Sequence, residues 1–118
     1  DILFAERFGV IEAAVENDLY AFGNMSDQYE LGPDHVLTGP VWDMGPTVDY
    51  VINQVAAGSY TAQDLKDFSM MVKGGARLAP YHSMDEQIPD DILALVEQRE
   101  QEIMDGLFRV NIDEETPD

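Results

Sequence analysis

The first forty residues alternate between strand-like and helix-like apolar patterns. DILF at residues 1–4 has the composition of a strand, Val10 to Asn17 has apolar positions at helical spacing, and LYAFG at 19–23 is a second short apolar run. Asp34 to Gly39 supplies a third strand that ends in glycine. A strand, a helix and a strand in this order predict a β-α-β unit with a parallel sheet and a right-handed crossover, so the expected fold class is α/β.

The rest of the chain predicts two helices and several short strands. Thr47 to Ala57 carries its apolar residues on one face, and Pro89 to Asp105 begins with proline and two aspartates, which favour a helix start. In Ser69 to Tyr81, a glycine pair separates two apolar runs, which predicts a hairpin. LFRVNI at 107–112 predicts one more strand.

Length and composition limit the class of protein. The chain has 118 residues and no cysteine, which suits one modest core and excludes disulfides, thiolate metal sites and cysteine nucleophiles. It has no apolar run of about 18 residues and no signal-peptide pattern. Because it starts at Asp1 on a strand-like stretch, we expect a fragment whose signal or lipid anchor lies upstream.

The charge balance argues against nucleic acid as a partner. With 24 acidic and 6 basic residues, the formal net charge is −18, and no basic stripe can form to meet a phosphate backbone. A folded acidic surface of this kind suits a salt-saturated environment, which indicates a halophile. The alternative is an ordinary acidic domain whose basic partner surface lies elsewhere.

Catalytic and metal-binding patterns are weak. His35 and His82 lack the spaced partners of a zinc site, and each fits better as a hydrogen-bonded loop residue. There is no G-x-S-x-G elbow and no common phosphate loop. Carboxylate pairs are frequent by chance in so acidic a chain. We therefore expect neither a metal nor a cofactor, and a binding protein rather than an enzyme.

A ligand site is expected where strand-to-helix loops diverge beyond the carboxyl ends of the predicted parallel strands. These loops are Ala5 to Phe8, Asn24 to Gln28 and Pro40 to Asp43. They offer aromatic faces and hydrogen-bonding groups, the mixture that a planar ligand with a polar edge requires. The candidate residues are Glu6, Phe8, Asn24, Ser26, Asp27 and Trp42. Two alternatives remain: Trp42 as a core residue packed on the next helix, and Asp27 as a cap for the segment after it.

The order of segments resembles the C-terminal part of the basic membrane protein family of substrate-binding lipoproteins, which deliver purine nucleosides or related compounds to ABC transporters. The resemblance rests on four stretches: the glycine-aspartate-glutamine loop at 23–28, the VLT strand at 36–38, the GGARLAPY corner at 74–81 and the final helix ending in Asp105-Gly106. It implies a two-lobed periplasmic-binding-protein fold of type I. Residues 1–40 would form a second-lobe β-α-β segment, and residues 41–118 would cross the hinge to complete the lobes.

Two departures from the family pattern bear on the ligand. Nucleoside binders of the family usually have G-V-D-x-D-Q where this chain has Gly23 to Gln28, so the aspartate expected on the sugar hydroxyls is Met25. A lysine usual after the VLT strand is Trp42. Both changes replace a charged group with an apolar one, which favours a free purine base stacked on the indole over a nucleoside, because a sugar hydroxyl buried without a partner costs about 1–3 kcal/mol.

The resemblance implies an extracytoplasmic, membrane-anchored lipoprotein that captures its ligand by lobe closure and releases it to an ABC permease. The alternative is a ligand-sensing domain of the same fold in a signalling or regulatory protein. The two differ in what lies upstream: a secretion signal with a lipid-attachment cysteine, or a kinase or DNA-binding module. A fragment cut from its partner lobe exposes apolar surface, so it is also expected to pair with itself as a homodimer.

Overall fold

The structure is a computed structural model, and it describes residues 7–110. Within that range the chain is a mixed α and β protein. Its helices and strands are α1 (Arg7–Glu16), β1 (Pro40–Trp42), α2 (Gly45–Ala56), β2 (Ala76–Leu78) and α3 (Asp90–Met104). Four short 3-10 helices connect them, at Tyr29–Leu31, Lys66–Ser69, Met71–Lys73 and His82–Gln87.

Helix α1 supplies two of the buried apolar residues of the described chain. Ile11 and Ala14 are three residues apart and therefore share a helix face, and both are buried. They form one cluster with Ala21 and Val36 from the next two segments. The helix ends where Asn17 donates a side-chain hydrogen bond to the Ala13 carbonyl. The helix predicted at residues 10–17 is confirmed, with a start three residues earlier.

The segments predicted as the second and third strands pair in parallel over a short distance. The bridge joins Ala21 to Val36. The amide of Ala21 donates to the His35 carbonyl at 2.8 Å, and the amide of Leu37 donates to the Ala21 carbonyl at 3.0 Å. The predicted first strand at 1–4 lies outside the described residues. Within 7–110, parallel pairing is limited to isolated bridges, so neither a full parallel sheet nor two lobes is seen.

The two named strands are antiparallel, which corrects two predictions. In register, Pro40 faces Leu78 and Trp42 faces Ala76. The segment at 40–43 is therefore not a loop, because its first three residues form β1. The hairpin predicted within 69–81 is also wrong, because Met71–Lys73 is a 3-10 helix that ends at Gly74 with φ +80°. Residues 76–78 pair with β1, which is distant in the sequence, and not with the run before the glycine pair as the hairpin prediction required.

Helices α2 and α3 agree with the sequence prediction to within two residues at each end. Proline occupies the first turn of α2, and Asp90 and Asp91 occupy the first turn of α3, where the helix dipole favours negative charge. No residue of α2 is buried, and its apolar face remains open to solvent. Residues 107–110 form no regular strand, so the strand predicted at 107–112 is wrong over its described part. No helix between residues 7 and 110 has the length and apolar character needed to cross a bilayer.

Candidate functional site

The loop from Asn24 to Gln28, the ligand loop of the sequence prediction, is folded back on itself. Gln28 is only 4% exposed, although glutamine is usually a surface residue. Its Oε1 accepts a hydrogen bond from the backbone amide of Asn24 at 2.9 Å, so the Gln28 side chain joins the two ends of the loop. The lack of a side chain at Gly23 provides the room, because a Cβ there would lie 3.2 Å from the same Oε1.

Met25 joins the ligand loop to Trp42. Met25 lies in the left-handed region with φ +69°, a conformation that few residues other than glycine adopt. Its carbonyl accepts a hydrogen bond from the Trp42 amide at 3.0 Å, and Met25 forms a parallel bridge with Val41. The structure therefore brings together these two predicted site residues. Trp42 is 60% exposed, so the alternative interpretation of Trp42 as a core residue is wrong.

Asp27 uses both carboxylate oxygens. Oδ1 accepts a hydrogen bond from the Tyr29 backbone amide at 3.1 Å, two residues along the chain, which forms an Asx turn just before the 3-10 helix Tyr29–Leu31. Oδ2 lies 2.7 Å from Nε2 of His82 and accepts its hydrogen bond. The bond from His82, followed by the bond from the Tyr29 amide, lowers the pKa of Asp27 below its ordinary value of 3.8. At neutral pH the loop therefore carries a fixed carboxylate.

The partner segment is the start of the 3-10 helix His82–Gln87. The His82 ring stacks on the Tyr29 ring with centroids 4.2 Å apart, and Ser83 Oγ shares a 2.7 Å hydrogen bond with the Tyr29 hydroxyl. The sequence analysis did not identify His82 or Tyr29 as site residues, because 55 positions separate Asp27 from His82 and no spacing rule links them. His35 is a hydrogen-bonded loop residue as predicted, since its Nδ1 lies 3.1 Å from the Leu19 carbonyl oxygen. His82 is hydrogen-bonded too, but it begins a 3-10 helix and is not a loop residue.

A second acidic group follows Trp42. Asp43 Oδ1 accepts a hydrogen bond from the Gly45 amide at 2.8 Å, which satisfies one free amide at the start of α2. Oδ2 lies 3.5 Å from Nη1 of Arg77 on β2. The residue after the exposed Trp42 therefore forms an ion pair, between the Asp43 carboxylate and the Arg77 guanidinium on the opposite strand.

The remaining predicted residues differ in how near they lie to this site. Glu6 lies outside the described residues. Phe8 belongs to α1 rather than to a loop and is 53% exposed, so the predicted loop at 5–8 is wrong where it is described. Ser26 is exposed on the ligand loop. Asn24 is partly buried and lines a cavity of about 650 Å³, whose mainly apolar wall comes from α1, residues 19–24 and Pro40.

The arrangement holds a loop in place rather than activating a nucleophile. Ser83 follows His82, but its hydroxyl bonds to Tyr29 rather than to the imidazole. Over residues 7–110, acidic and histidine side chains form no group of three able to hold a metal ion. What the site offers is an exposed indole on β1 and an amide, a hydroxyl and a fixed carboxylate on the ligand loop, and a backbone hydrogen bond from Trp42 to Met25 joins the two segments.

Comparison with known proteins gives one informative likeness. The chain is 32% identical over 99 residues to a purine-binding protein of Brucella abortus, and the match covers 81% of this chain. It covers only 26% of that relative, so the chain spans about a quarter of the relative's length. No family model matches the chain. The relative is named as a binding protein and not as an enzyme.

Proposed function

We propose that this chain is part of the extracytoplasmic ligand-binding component of an ABC importer and takes part in binding a purine base or nucleoside without catalysis. The observation that carries this proposal is the likeness to a purine-binding protein over four fifths of the chain. The matched length exceeds any single motif, so the likeness does not depend on one glycine or aspartate. Lobe closure around the ligand would involve parts of a longer protein than these 118 residues.

The geometry of the ligand loop supports a planar ligand. The exposed Trp42 indole is tied through its backbone to Met25, so a ring stacked on the indole would lie beside the loop. Base stacking on an aromatic side chain is worth about 1–3 kcal/mol. Asn24 and Ser26 lie on the same loop and supply hydrogen-bonding groups for the polar edge of a base.

Met25 favours a free base over a nucleoside. Its thioether offers a sugar hydroxyl only a weak acceptor, whereas a carboxylate at this position would accept two strong hydrogen bonds. The carboxylate of Asp27 is already occupied by Tyr29 and His82 and does not replace the missing group. We therefore expect adenine or guanine to bind more tightly than adenosine or guanosine.

Calorimetric titration of the complete protein tests this proposal. Adenine, guanine, adenosine, guanosine and ribose are titrated into wild type, Trp42→Ala and Tyr60→Ala. Tyr60 is the matched control because it is also an exposed aromatic residue, 45% accessible, but lies after α2. We expect wild type and Tyr60→Ala to bind purines alike, and Trp42→Ala to lose about 1–3 kcal/mol of binding free energy. Absence of purine binding by wild type contradicts the proposal.

The importer role has a separate test. Deletion of the gene is expected to abolish uptake of radiolabelled purine at low external concentration, and detergent is expected to release the protein from the membrane fraction. A soluble protein fused to a kinase or DNA-binding module, in cells with normal uptake, would instead indicate a sensor.

A further inference from the structure

The hydrogen bond between Asp27 and His82 joins two segments that are far apart in sequence. At 2.7 Å between Oδ2 and Nε2, it is as short as charge-assisted hydrogen bonds usually are. The two side chains remain 41% and 35% exposed, so water weakens the bond but does not replace it. The bond holds the middle of the ligand loop against the start of the 3-10 helix His82–Gln87.

That 3-10 helix is itself firmly held. Met84 is completely buried, which fixes the helix to the rest of the protein. At its far end, the Tyr20 hydroxyl donates to Oε1 of Gln87 at 2.9 Å. A loop bound to this segment is therefore bound to a rigid support, and the Tyr29 ring adds a stacking contact and a hydroxyl bond to the same two residues, His82 and Ser83.

The ligand loop needs such a support because its backbone is strained. Met25 holds a left-handed conformation without being glycine, which is strained and persists only when surrounding contacts impose it. The Gln28 side chain and the Trp42 amide provide two of these contacts. The bond from His82 to Asp27 is a third contact, and it comes from the segment that is farthest away in the sequence.

We propose that His82 is a positioning residue for the ligand loop: through Asp27 it keeps Asn24 to Gln28 in the conformation that binds ligand. This inference rests on the proposed function, because it assigns a role at the same purine site. A loop ordered before the ligand arrives does not have to be ordered by it, so preorganisation raises affinity. His82 itself does not need to touch the ligand.

Two amide substitutions that differ in reach test this role. In His82→Gln, the amide nitrogen reaches about as far as Nε2 and can still donate to Asp27. In His82→Asn, the side chain is too short to do so, although asparagine tolerates the left-handed φ of +52° at this position at least as well. We expect His82→Asn to weaken purine binding about fivefold and His82→Gln to retain most of the affinity. His35→Asn is the matched control, because His35 bonds to the Leu19 carbonyl, and affinity should be unchanged.

The loop has its own optical reporter in the only tryptophan of the chain. We expect the unliganded Trp42 emission spectrum to shift in His82→Asn and to match wild type in His82→Gln, since Trp42 is bonded to the loop through Met25. Asp27→Asn and His82→Asn together should weaken binding by less than the product of their separate effects, because they break one shared bond. Thermal melts monitor folding of each variant.

The outcomes separate the two proposals. Purine binding by wild type with equal affinity in His82→Asn overturns the positioning role and leaves the proposed function intact. A loss of affinity in His82→Gln as large as in His82→Asn also overturns it, because the hydrogen bond would then be irrelevant. A wild-type protein that binds no purine overturns the proposed function, and the positioning role with it.

Discussion

The ligand loop and helix α2 lie close together in the sequence but differ in their contacts: the polar groups of the loop are hydrogen-bonded, whereas the apolar side chains of α2 are exposed. Around the loop, Gln28, Asp27 and Met25 each bond to a specific partner, and two of these partners lie on other segments. On α2, three apolar side chains one turn apart, Val48, Ile52 and Val55, remain about half exposed or more. The loop is held by hydrogen bonds between defined atoms, whereas the apolar face of α2 stays about half exposed in the described part of the chain.

The contrast shows that the loop, the region with the most specific contacts, is not held in place by burial of apolar side chains. The core cluster has four residues, and two of them are alanines, so it buries little apolar surface. The loop region gains its order from close backbone contacts instead. An exposed apolar helix face of this kind marks a surface that associates with another surface. The predictions below test each side of this contrast, from the largest expected effect to the smallest.

Gly39→Ala should break the loop region most severely. A Cβ at Gly39 would overlap the carbonyl oxygen of Gly23 across the parallel pair, so the backbone must separate. We expect a loss of at least about 3 kcal/mol in the free energy of unfolding, measured by urea denaturation. Gly9→Ala in α1 is the control, because a Cβ there meets no atom within 4 Å, and it should stabilise by about 0.5–1 kcal/mol. Equal stability of the two variants would contradict the close approach.

Added salt should stabilise the whole chain. The net charge is −18, and the described residues contain few ion pairs, so repulsion among carboxylates opposes folding. Screening of that repulsion should raise the melting temperature steadily as potassium chloride increases from about 0.1 M to about 1 M. A sucrose series of equal osmolality is the control for general solvent exclusion. A melting temperature that follows sucrose as closely as salt would argue against the charge explanation.

Ile52→Glu tests the open face of α2. If this face associates with a second copy, the 118-residue chain should sediment as a dimer at high concentration, and the substitution should weaken the dimer about tenfold. Asn53→Glu adds the same charge on the same helix but off the apolar face, so it should leave the dimer unchanged. A wild-type chain that stays monomeric at every concentration contradicts self-association. The ligand loop should keep its geometry in both variants.

The smallest effect is expected at Asp27 in acid. Because hydrogen bonds from His82 and Tyr29 lower its folded pKa below 3.8, ionised Asp27 favours the folded state above that pH and loses this contribution as the pH falls below it. The carboxylate is partly exposed, so the contribution is modest. The melting temperature of Asp27→Asn should lie slightly below wild type near pH 6 and converge with it below about pH 4. Asp49→Asn, on the exposed surface of α2, controls for loss of one charge; an Asp27 gap that persists in acid contradicts the assignment.

Elements defined by local pattern were predictable from the sequence. The amphipathic spacing and proline start of α2 and the aspartates that open α3 are visible in any short window, and both helices are present. The loop at 24–28 was identified from its polar composition and its place after an apolar run. Asp27 was predicted either to bind ligand or to serve the next segment as a loop or cap carboxylate; it accepts a hydrogen bond from the Tyr29 amide in an Asx turn, although the N-cap position itself is Gln28.

Elements defined by distant partners were not predictable. β1 was predicted as a loop because its partner strand, Ala76–Leu78, lies far along the chain. The predicted hairpin failed because its second run, Ala76–Leu78, pairs with the distant strand β1, while Met71–Lys73 in its first run forms a 3-10 helix. The pairing of Asp27 with His82 has the same origin. Each of these features depends on which segments meet in space, and no local composition encodes that.

The left-handed backbone at Met25 makes this position suitable for substitution by other residues in protein engineering. Its place in the fold is set by main-chain bonds to Val41 and Trp42, so the side chain can change without altering the scaffold. Asparagine, aspartate and glycine adopt this conformation more readily than methionine does. On the proposed function, substitutions at this one position are expected to change the preference between purine bases and their ribosides, with Trp42 as the reporter of binding.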